Sequence, residues 1–455
     1  MKDFLTKYNR PGPRYTSYPP APYFNEQFTP DDYRESVIAS NSEEPPSISI
    51  YIHIPFCPQL CYFCGCNTGK PKDPGDIKRY ADALKEEIKM VSGLLDKNRP
   101  VTQIHWGGGT PNSIPYEYIS GIMELLKAEF KFHKKIEVAI ECNPAYLSPE
   151  NAGELAGMGF NRVSLGIQDF HGEVLEKVNR LPSAMPAEEL VKHLRKSGFE
   201  GVNLDLMYGL PGQTPPVYTD TIKKAISLSP DRIVTFSYAH VPWFNPSMKK
   251  VEKFGLPSTG EKFNLFNTGY NLLTSAGYIP VGLDHYALPE DELSLALKER
   301  KLHRNFQGYC TKETTGQVYA FGSSSISQLW NAYSQNSKDY IRYIEKIEKG
   351  KFATERGYRL NRREIITREV INSIMCNGHL NFSDIARNFG ISVDELKELL
   401  SYNQGSLDEF IEDGLVEIEG EELNVTRRGM LVVRNIAMAF DFMIDGRQQR
   451  YSKTI

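Results

Sequence analysis

Four of the seven cysteines, Cys57, Cys61, Cys64 and Cys66, fall within ten residues of one another. Bunched thiols in a chain whose start, Met1-Lys2-Asp3-Phe4-Leu5-Thr6-Lys7, carries no apolar export run read as a metal or redox site, not as a disulfide framework. The first three have the spacing C-x3-C-x2-C. Soft thiolates select iron–sulfur clusters or zinc. Three thiolates on one tight loop can hold three irons of a cubane and leave the fourth iron open. A structural zinc site wants four ligands, usually as paired knuckles, and even with Cys66 added this loop is poorly spaced for a tetrahedron. The apolar flank of Ile54, Phe56, Tyr62 and Phe63 would keep water and oxygen away. Cys142, Cys310 and Cys376 stand alone and are expected to be small buried hydrophobes. His53, four residues before Cys57, either hydrogen-bonds beside the loop or is a satisfied core histidine.

A strand must deliver this loop. Six β-rich runs are expected: Ser47–Pro55, Val101–Gly107, Lys135–Cys142, Arg162–Gln168, Gly201–Tyr208 and Arg232–His240. Helical periodicity lies between them, at Asp76–Leu95, Ser120–Phe130, Asn151–Met158, Ala187–Lys196 and Tyr218–Ser227. Strands alternating with helices imply parallel βαβ units. Six such units fit a closed or partly closed barrel, although periodicity does not decide between that and an open sheet. Later segments add a helix over Lys262–Ala276, strands at Tyr278–Leu283 and Gln317–Ile326, and a charged helix over Lys338–Lys349.

The 455 residues divide into an arm (1–45), a barrel with its extension (46–350) and a C-terminal helical cap (351–455). The arm is Pro- and Tyr-rich; Pro opposes regular helix, while the tyrosines supply area to bury. In the cap, an amphipathic helix over 363–377 precedes two short helices in Phe382–Leu400. A strand pair, Leu415–Glu419 and Glu422–Val425, then leads to a helix over Met430–Phe442. The charge balance, 53 Lys plus Arg against 57 Asp plus Glu, argues against a polyanion-coating protein. No apolar run approaches a membrane span, so a cytoplasmic location is expected.

The polar and glycine positions fall at strand ends. Cys57 follows the first run, Gly107-Gly108-Gly109-Thr110-Pro111 the second, Glu141 ends the third, Gln168-Asp169 the fourth, and Tyr238-Ala239-His240 the sixth; Asp205 sits inside the fifth. In a parallel barrel the C-terminal strand ends form one rim, where active sites sit. A carboxylate inside an apolar strand must also find donors.

C-x3-C-x-aromatic-C after a first barrel strand resembles the signature of radical S-adenosylmethionine enzymes. Further stretches extend the likeness: Tyr51-Ile52-His53-Ile54-Pro55-Phe56-Cys57, Cys64-Gly65-Cys66-Asn67, His105-Trp106-Gly107-Gly108-Gly109-Thr110-Pro111, Asp205-Leu206-Met207-Tyr208-Gly209-Leu210-Pro211, His303-Arg304-Asn305-Phe306-Gln307-Gly308-Tyr309 and the arm Gly12-Pro13-Arg14-Tyr15-Thr16-Ser17-Tyr18-Pro19. Together they are similar to the oxygen-independent coproporphyrinogen III oxidases (dehydrogenases), over nearly the whole chain. The resemblance implies an α/β fold, a partial (β/α)6 TIM-like radical SAM barrel with an N-terminal arm and a small, mainly helical C-terminal domain.

It also implies oxidative decarboxylation of two propionates of coproporphyrinogen III to vinyls, giving protoporphyrinogen IX. The means are a 5′-deoxyadenosyl radical, a [4Fe-4S] cluster and two S-adenosylmethionine molecules. Cys57, Cys61 and Cys64 then hold the cluster. Tyr51, Gly108, Glu141 and Ile326 contact the first S-adenosylmethionine. Phe63, Gly109, Thr110, Gln168, Arg180, Asp205 and Ala239 line the second site. Glycines admit close backbone approach, and arginine suits a carboxylate, although Arg180 read alone is equally a surface residue after a helix. No catalytic residue is assigned beyond the cluster: Cys66 either lines the site without binding iron or packs under the loop. Arg14 and Arg304, each in an aromatic, non-periodic stretch, are expected to bind substrate propionates. An electron donor such as flavodoxin or ferredoxin is implied, and a monomer is favoured.

Two competitors remain. The first is another porphyrin-handling radical enzyme or a haem chaperone of the same superfamily; the chaperones generally lack the equivalent of Cys66 and the tyrosine-rich arm. A DNA-binding reading of Ser383–Leu396 meets a net charge of −5 over residues 360–455 (11 basic, 16 acidic), with Asp394, Glu395 and Glu398 on the reading helix. A helical cap that binds no nucleic acid is therefore expected.

Overall fold

The computed structural model describes residues 7–243, 245–311, 317–444 and 451; the start Met1–Thr6, read above as carrying no apolar export run, lies outside them. Strands β1 (Ile48–Ile54), β2 (Pro100–Gly108), β3 (Lys131–Cys142), β4 (Arg162–Gln168), β5 (Gly201–Tyr208) and β6 (Arg232–Ser237) pair in parallel in that order. Helices cover the sheet between them, including Asp76–Ser92, Tyr116–Glu129, Pro149–Met158, Ala187–Ser197 and Pro215–Ser227, and Thr259–Ser275 follows β6. After β6 come β7 (Ile279–Val281) and β8 (His285–Ala287), then the separate pair β9 (Leu302–Arg304) and β10 (Tyr309–Thr311). β11 (Gln317–Phe321) lies parallel to β1 on its free side, and β12 (Ile326–Gln328), β13 (Ala332–Asn336) and β14 (Thr354–Arg359) continue antiparallel. The result is one 12-stranded sheet, β14-β13-β12-β11-β1-β2-β3-β4-β5-β6-β8-β7. The order never returns on itself, so the barrel is partial, with β14 and β7 as its edges. None of the described helices is long and apolar enough to cross a membrane.

Four departures from the sequence reading have identifiable physical causes. β6 stops at Ser237, not His240, because the Tyr238 carbonyl is taken by Lys262 Nζ (2.7 Å) and Tyr238 Oη turns back to His240 (2.9 Å). The expected strand 317–326 breaks into β11 and β12 at Gly322, which has φ +101° and donates its N–H to Glu87 (2.8 Å). The expected helix 430–442 becomes a tight turn, Gly429–Val432, and a short helix, Val433–Met438. A Cβ on Gly429 would meet the Leu415 carbonyl at 2.1 Å, so the chain there packs too closely for a regular helix with side chains. Within the arm, Pro30–Ala39 is helical. Its start was legible: Thr29 and Asp32 form a reciprocal capping box and Pro30 takes the first helical position.

The remaining segments form the arm's seat. Helices Arg362–Asn377, Phe382–Phe389 and Val393–Leu399 pack with the three-stranded sheet β15 (His379–Asn381), β17 (Glu422–Val425), β16 (Val416–Glu419). Tyr8, Tyr15 and Tyr18 are buried in this same apolar cluster. Tyr15 Oη and Tyr18 Oη donate to opposite oxygens of Asp441 (2.9 and 3.1 Å), and Tyr8 Oη donates to Asp413 (2.6 Å). The arm's aromatic half is thus held by the C-terminal segment, whereas its helix lies against the sheet through Tyr33 and Val37. Asp441→Ala should leave two buried tyrosine hydroxyls without an acceptor and cost about 3 kcal/mol. A urea midpoint unchanged from wild type would contradict this.

Candidate active site

The loop from Cys57 to Thr68 hangs from the C-terminal end of β1. Gly109 N–H donates to Ile54 O (2.7 Å) and Thr110 N–H to Phe56 O (2.9 Å), which clamps the glycine run after β2 against the base of the loop. Cys57 N–H and Gly69 O close it at 2.9 Å. Its outer side is fixed by Tyr62 N–H to Val178 O (2.9 Å), Gln59 Nε2 to Asn179 O (3.0 Å) and Asn245 Nδ2 to Cys64 O (2.7 Å). Thr68, Asn179 and Asn245 carry no chemical signature in sequence; only the fold brings them here.

Cys57 is buried, Cys61 and Cys64 partly so, and Cys66 is exposed. Burial pushes the Cys57 thiol up, opposed by the hydroxyls of Thr110 (3.1 Å) and Thr68 (3.0 Å). Burial also raises Cys61, opposed by the Arg180 guanidinium, whose Nη1 lies 3.7 Å from its sulfur. The Cys66 thiol donates toward Cys64 and holds that thiol down at about 7 against its own burial. Three of the four cysteines thus have a neighbour that favours thiolate, the form that binds metal.

Around the loop the strand ends converge. Glu141 accepts from His105 Nε2 (2.9 Å), and the Tyr51 ring stacks on His105 with centroids 6.0 Å apart. Burial opposes charge on His105, but the Glu141 carboxylate prevails and raises its pKa. Tyr51 Oη reaches His53 Nδ1 (3.1 Å), and His53 Nε2 lies 3.1 Å from Asn67 O and 3.4 Å from Ser324 Oγ. His53 is therefore a satisfied core histidine that ties β1 to the end of the cysteine loop. Ile326 opens β12 two residues after Ser324. Arg180 Nη2 donates to Gly166 O, and a Cβ on Gly166 would lie 2.9 Å from Arg180 and 3.0 Å from Gln168. Gln168 itself has φ +68°, the residue before Asp169, whose buried carboxylate accepts from Thr221, Gln213 and the His171 N–H. Phe63 packs with Tyr238 and Val178.

Asp205 accepts from Ser164 Oγ (2.8 Å), and burial pushes its carboxyl up to about 6. The folded state therefore holds a proton there that the unfolded chain has released, so this group's contribution to stability falls as pH rises from about 4 to about 6. Asp205→Asn should remove that slope and gain about 2 kcal/mol at pH 7. Urea midpoints of the metal-free protein at pH 4.5 and 7, equal in their difference between variant and wild type, would refute it.

A cavity of ≈ 1180 Å³ opens beside this rim, between β6, β8, the helix Thr259–Ser275, the arm and the C-terminal segment. Ala239, Arg14 and Arg304 line it; the cysteines, Glu141 and Asp205 do not. Its wall is aromatic (Tyr208, Phe236, Phe263, Phe266). Arg304 Nη1 donates to Arg14 O (2.8 Å), and its Nε is buried without a partner.

The chain is 37% identical to the oxygen-independent coproporphyrinogen III oxidase of Synechocystis sp., over 100% of its own length and 97% of that relative. It belongs to the oxygen-independent coproporphyrinogen III oxidase family. The Escherichia coli member is 38% identical over 99% of this chain and 97% of its own. The solved structure described as coproporphyrinogen III oxidase (HemN) from Escherichia coli, a radical SAM enzyme, superposes with a TM-score of 0.89, covering 97% of this chain and 98% of that one at 37% identity. The radical SAM superfamily model matches residues 51–225, and the HemN C-terminal domain model residues 360–432. The first span holds the cysteine loop and every rim residue from Tyr51 to Asp205; Arg14, Ala239, Arg304 and Ile326 fall outside both.

Membership implies an iron–sulfur cluster and S-adenosylmethionine. The residues present fit them. The loop offers three soft thiols beside an arginine. Gln168 Oε1 and Arg180 Nε are buried without protein partners, and so are poised for a ligand. Side chains at Gly108 and Gly109 would fill the cradle, 2.6 Å from the His53 ring and 2.7 Å from the Phe56 carbonyl respectively.

Proposed function

We propose that this chain converts two propionates of coproporphyrinogen III to vinyls without oxygen, yielding protoporphyrinogen IX. Each –CH2–CH2–COO⁻ becomes –CH=CH2 by loss of a hydrogen atom, CO2 and one electron. The cluster, when bound, supplies the electron that cleaves S-adenosylmethionine and so provides the deoxyadenosyl radical that takes the β-hydrogen.

The chain's own residues position and shield. Cys57, Cys61 and Cys64 hold the cluster, and Arg180 balances thiolate charge at Cys61 while facing the cofactor carboxylate. Tyr51, Gly108, Glu141 and Ile326 serve one S-adenosylmethionine; His105 orients the Glu141 carboxylate for an amine or ribose hydroxyl. Phe63, Gly109, Thr110, Gln168, Arg180, Asp205 and Ala239 serve a second molecule, one for each propionate. The macrocycle lies against the aromatic wall of the adjoining cavity, with Arg14 and Arg304 on its propionates. Arg304 has a further task, because it grips the Arg14 carbonyl and so sets the arm. The division into arm (1–45), barrel (46–350) and cap (351–455) suits this layout, with β14 carrying the sheet slightly past residue 350. The enzyme acts as a cytoplasmic monomer fed by a flavodoxin or ferredoxin.

The observation that carries this reading is the convergence of a C-x3-C-x2-C loop, Arg180 and the glycine clamp at one barrel rim, beside an aromatic, cation-lined cavity. Anaerobic reconstitution with iron and sulfide, followed by coproporphyrinogen III, S-adenosylmethionine and a reductant, should release CO2 with protoporphyrinogen. Cleavage of S-adenosylmethionine without CO2 would refute it. Arg14→Ala and Arg304→Ala should each raise the KM for coproporphyrinogen about tenfold. Unchanged KM with intact S-adenosylmethionine cleavage would remove them from the substrate site.

A further inference from the structure

The cavity beside the rim carries an unusual charge pattern. Among the described residues, five cationic side chains line it, Arg14, Lys262, Arg304, Arg427 and Arg434, against one carboxylate, Asp284. Asp284 is already engaged by His285 Nδ1 at 2.7 Å. Cations thus outnumber carboxylates in the described lining, and a coproporphyrinogen carries four carboxylates. The product carries two, so it would engage fewer of these cations in a space walled by aromatic rings.

Four of the five cations cannot readily adjust. A guanidinium stays protonated, and three of the four have a fixed contact elsewhere. Arg304 Nη1 is on Arg14 O (2.8 Å), Arg434 Nε is on Pro13 O (2.9 Å), and Arg427 Nε is on Tyr270 Oη (2.6 Å). Arg14 rides on the backbone that the first two hold. Lys262 differs. Its ammonium has three donors, and it donates to Tyr238 O at 2.7 Å. That carbonyl belongs to Tyr238, which lines the cavity and shares an apolar cluster with Tyr62 and Phe63 of the cysteine loop, so Lys262 is tied to the segment that the cavity and the loop have in common. Gly209 accommodates its stem: φ there is +87°, and a Cβ would sit 3.1 Å from Lys262 Cε.

We propose that Lys262 is the residue by which the cavity distinguishes the tetracarboxylate substrate from the dicarboxylate product, by binding a propionate that the reaction removes. This rests on the functional reading above. Burial and the neighbouring Arg14 lower the Lys262 pKa to about 8, so this cation sheds its charge more cheaply than its neighbours once its carboxylate has left. Product is then held by one fewer anchor than substrate.

The test is equilibrium dialysis of coproporphyrinogen III and protoporphyrinogen IX, anaerobic and in the dark, against wild type, Lys262→Met and Lys262→Arg. Wild type should bind the tetracarboxylate more tightly. Lys262→Met should weaken coproporphyrinogen about tenfold and protoporphyrinogen less than about twofold, and Lys262→Arg should restore most of the loss. Equal weakening of both ligands, or of neither, would overturn the assignment. Lys262→Gln repeats the measurement should the Met variant fail to fold, judged by its thermal midpoint. Failure of wild type to bind either porphyrinogen would overturn the functional reading, and this assignment with it.

Discussion

Alanine at any one of Cys57, Cys61 or Cys64 should abolish the iron–sulfur absorbance of reconstituted protein and all porphyrinogen turnover, whereas Cys66→Ala should keep the absorbance. The difference follows from how the loop is held. Cys57 sits at its root, between two threonine hydroxyls and under the Gly109–Thr110 clamp. Cys61 faces Arg180, and Cys64 is fixed through its own carbonyl by Asn245. Cys66 is exposed on the far limb, one residue before the Asn67 carbonyl that meets His53. A cubane with two protein thiolates loses a full coordination position, and among the described residues no group of three or more His, Cys, Asp or Glu stands gathered to replace it. Because Cys66 donates toward Cys64, Cys66→Ala should alter turnover more than iron content. Iron and sulfide per chain, with the visible spectrum, decide the first point. Equal iron loss in Cys66→Ala would make Cys66 a ligand.

Gly109→Ala is expected to be nearly as damaging, without touching a ligand. Its methyl would lie 2.7 Å from Phe56 O and Thr68 Oγ1 and 2.9 Å from Ile54 O. Two of those atoms are backbone, and one of them, Ile54 O, accepts the Gly109 N–H itself. The only relief is to pull β1 and the glycine run apart, which drags Cys57 and its threonine partners with it. Overpacking of this kind costs about 3 kcal/mol, and iron uptake should fall severalfold with it. Gly65→Ala is the control: a Cβ there meets nothing within 4 Å, although it lies between two cysteines of the same loop. Equal iron content and urea midpoints in the two variants would refute the steric account.

Much of the fold was legible because strand and helix periods are local. β4 and β5 have the ends that alternation and turn residues predict, and the other core strands differ at their margins. Where the reading failed, the cause was non-local. Tyr238 left the sheet for a lysine 24 residues away, and Gly322 turned to meet a buried glutamate on another helix. The arm's helix had a local signal in Thr29 and Asp32, obscured by the prolines around it.

The sequence by itself determined the chemistry. Thiol spacing, the glycine run and the strand-end carboxylates are properties of neighbouring residues, and their types dictate what they can bind. The tertiary structure decided which groups support them. It set Arg180 on Cys61, His105 on Glu141 and Thr68 under Cys57, and it made His53 a strut. It also gathered Arg14, Lys262, Arg304, Arg427 and Arg434, drawn from arm, barrel and cap, around one cavity. Spacing along a chain carries no record of such pairs, since hydrogen bonds and charge clusters form across whatever the folding of the sheet brings within about 3 Å.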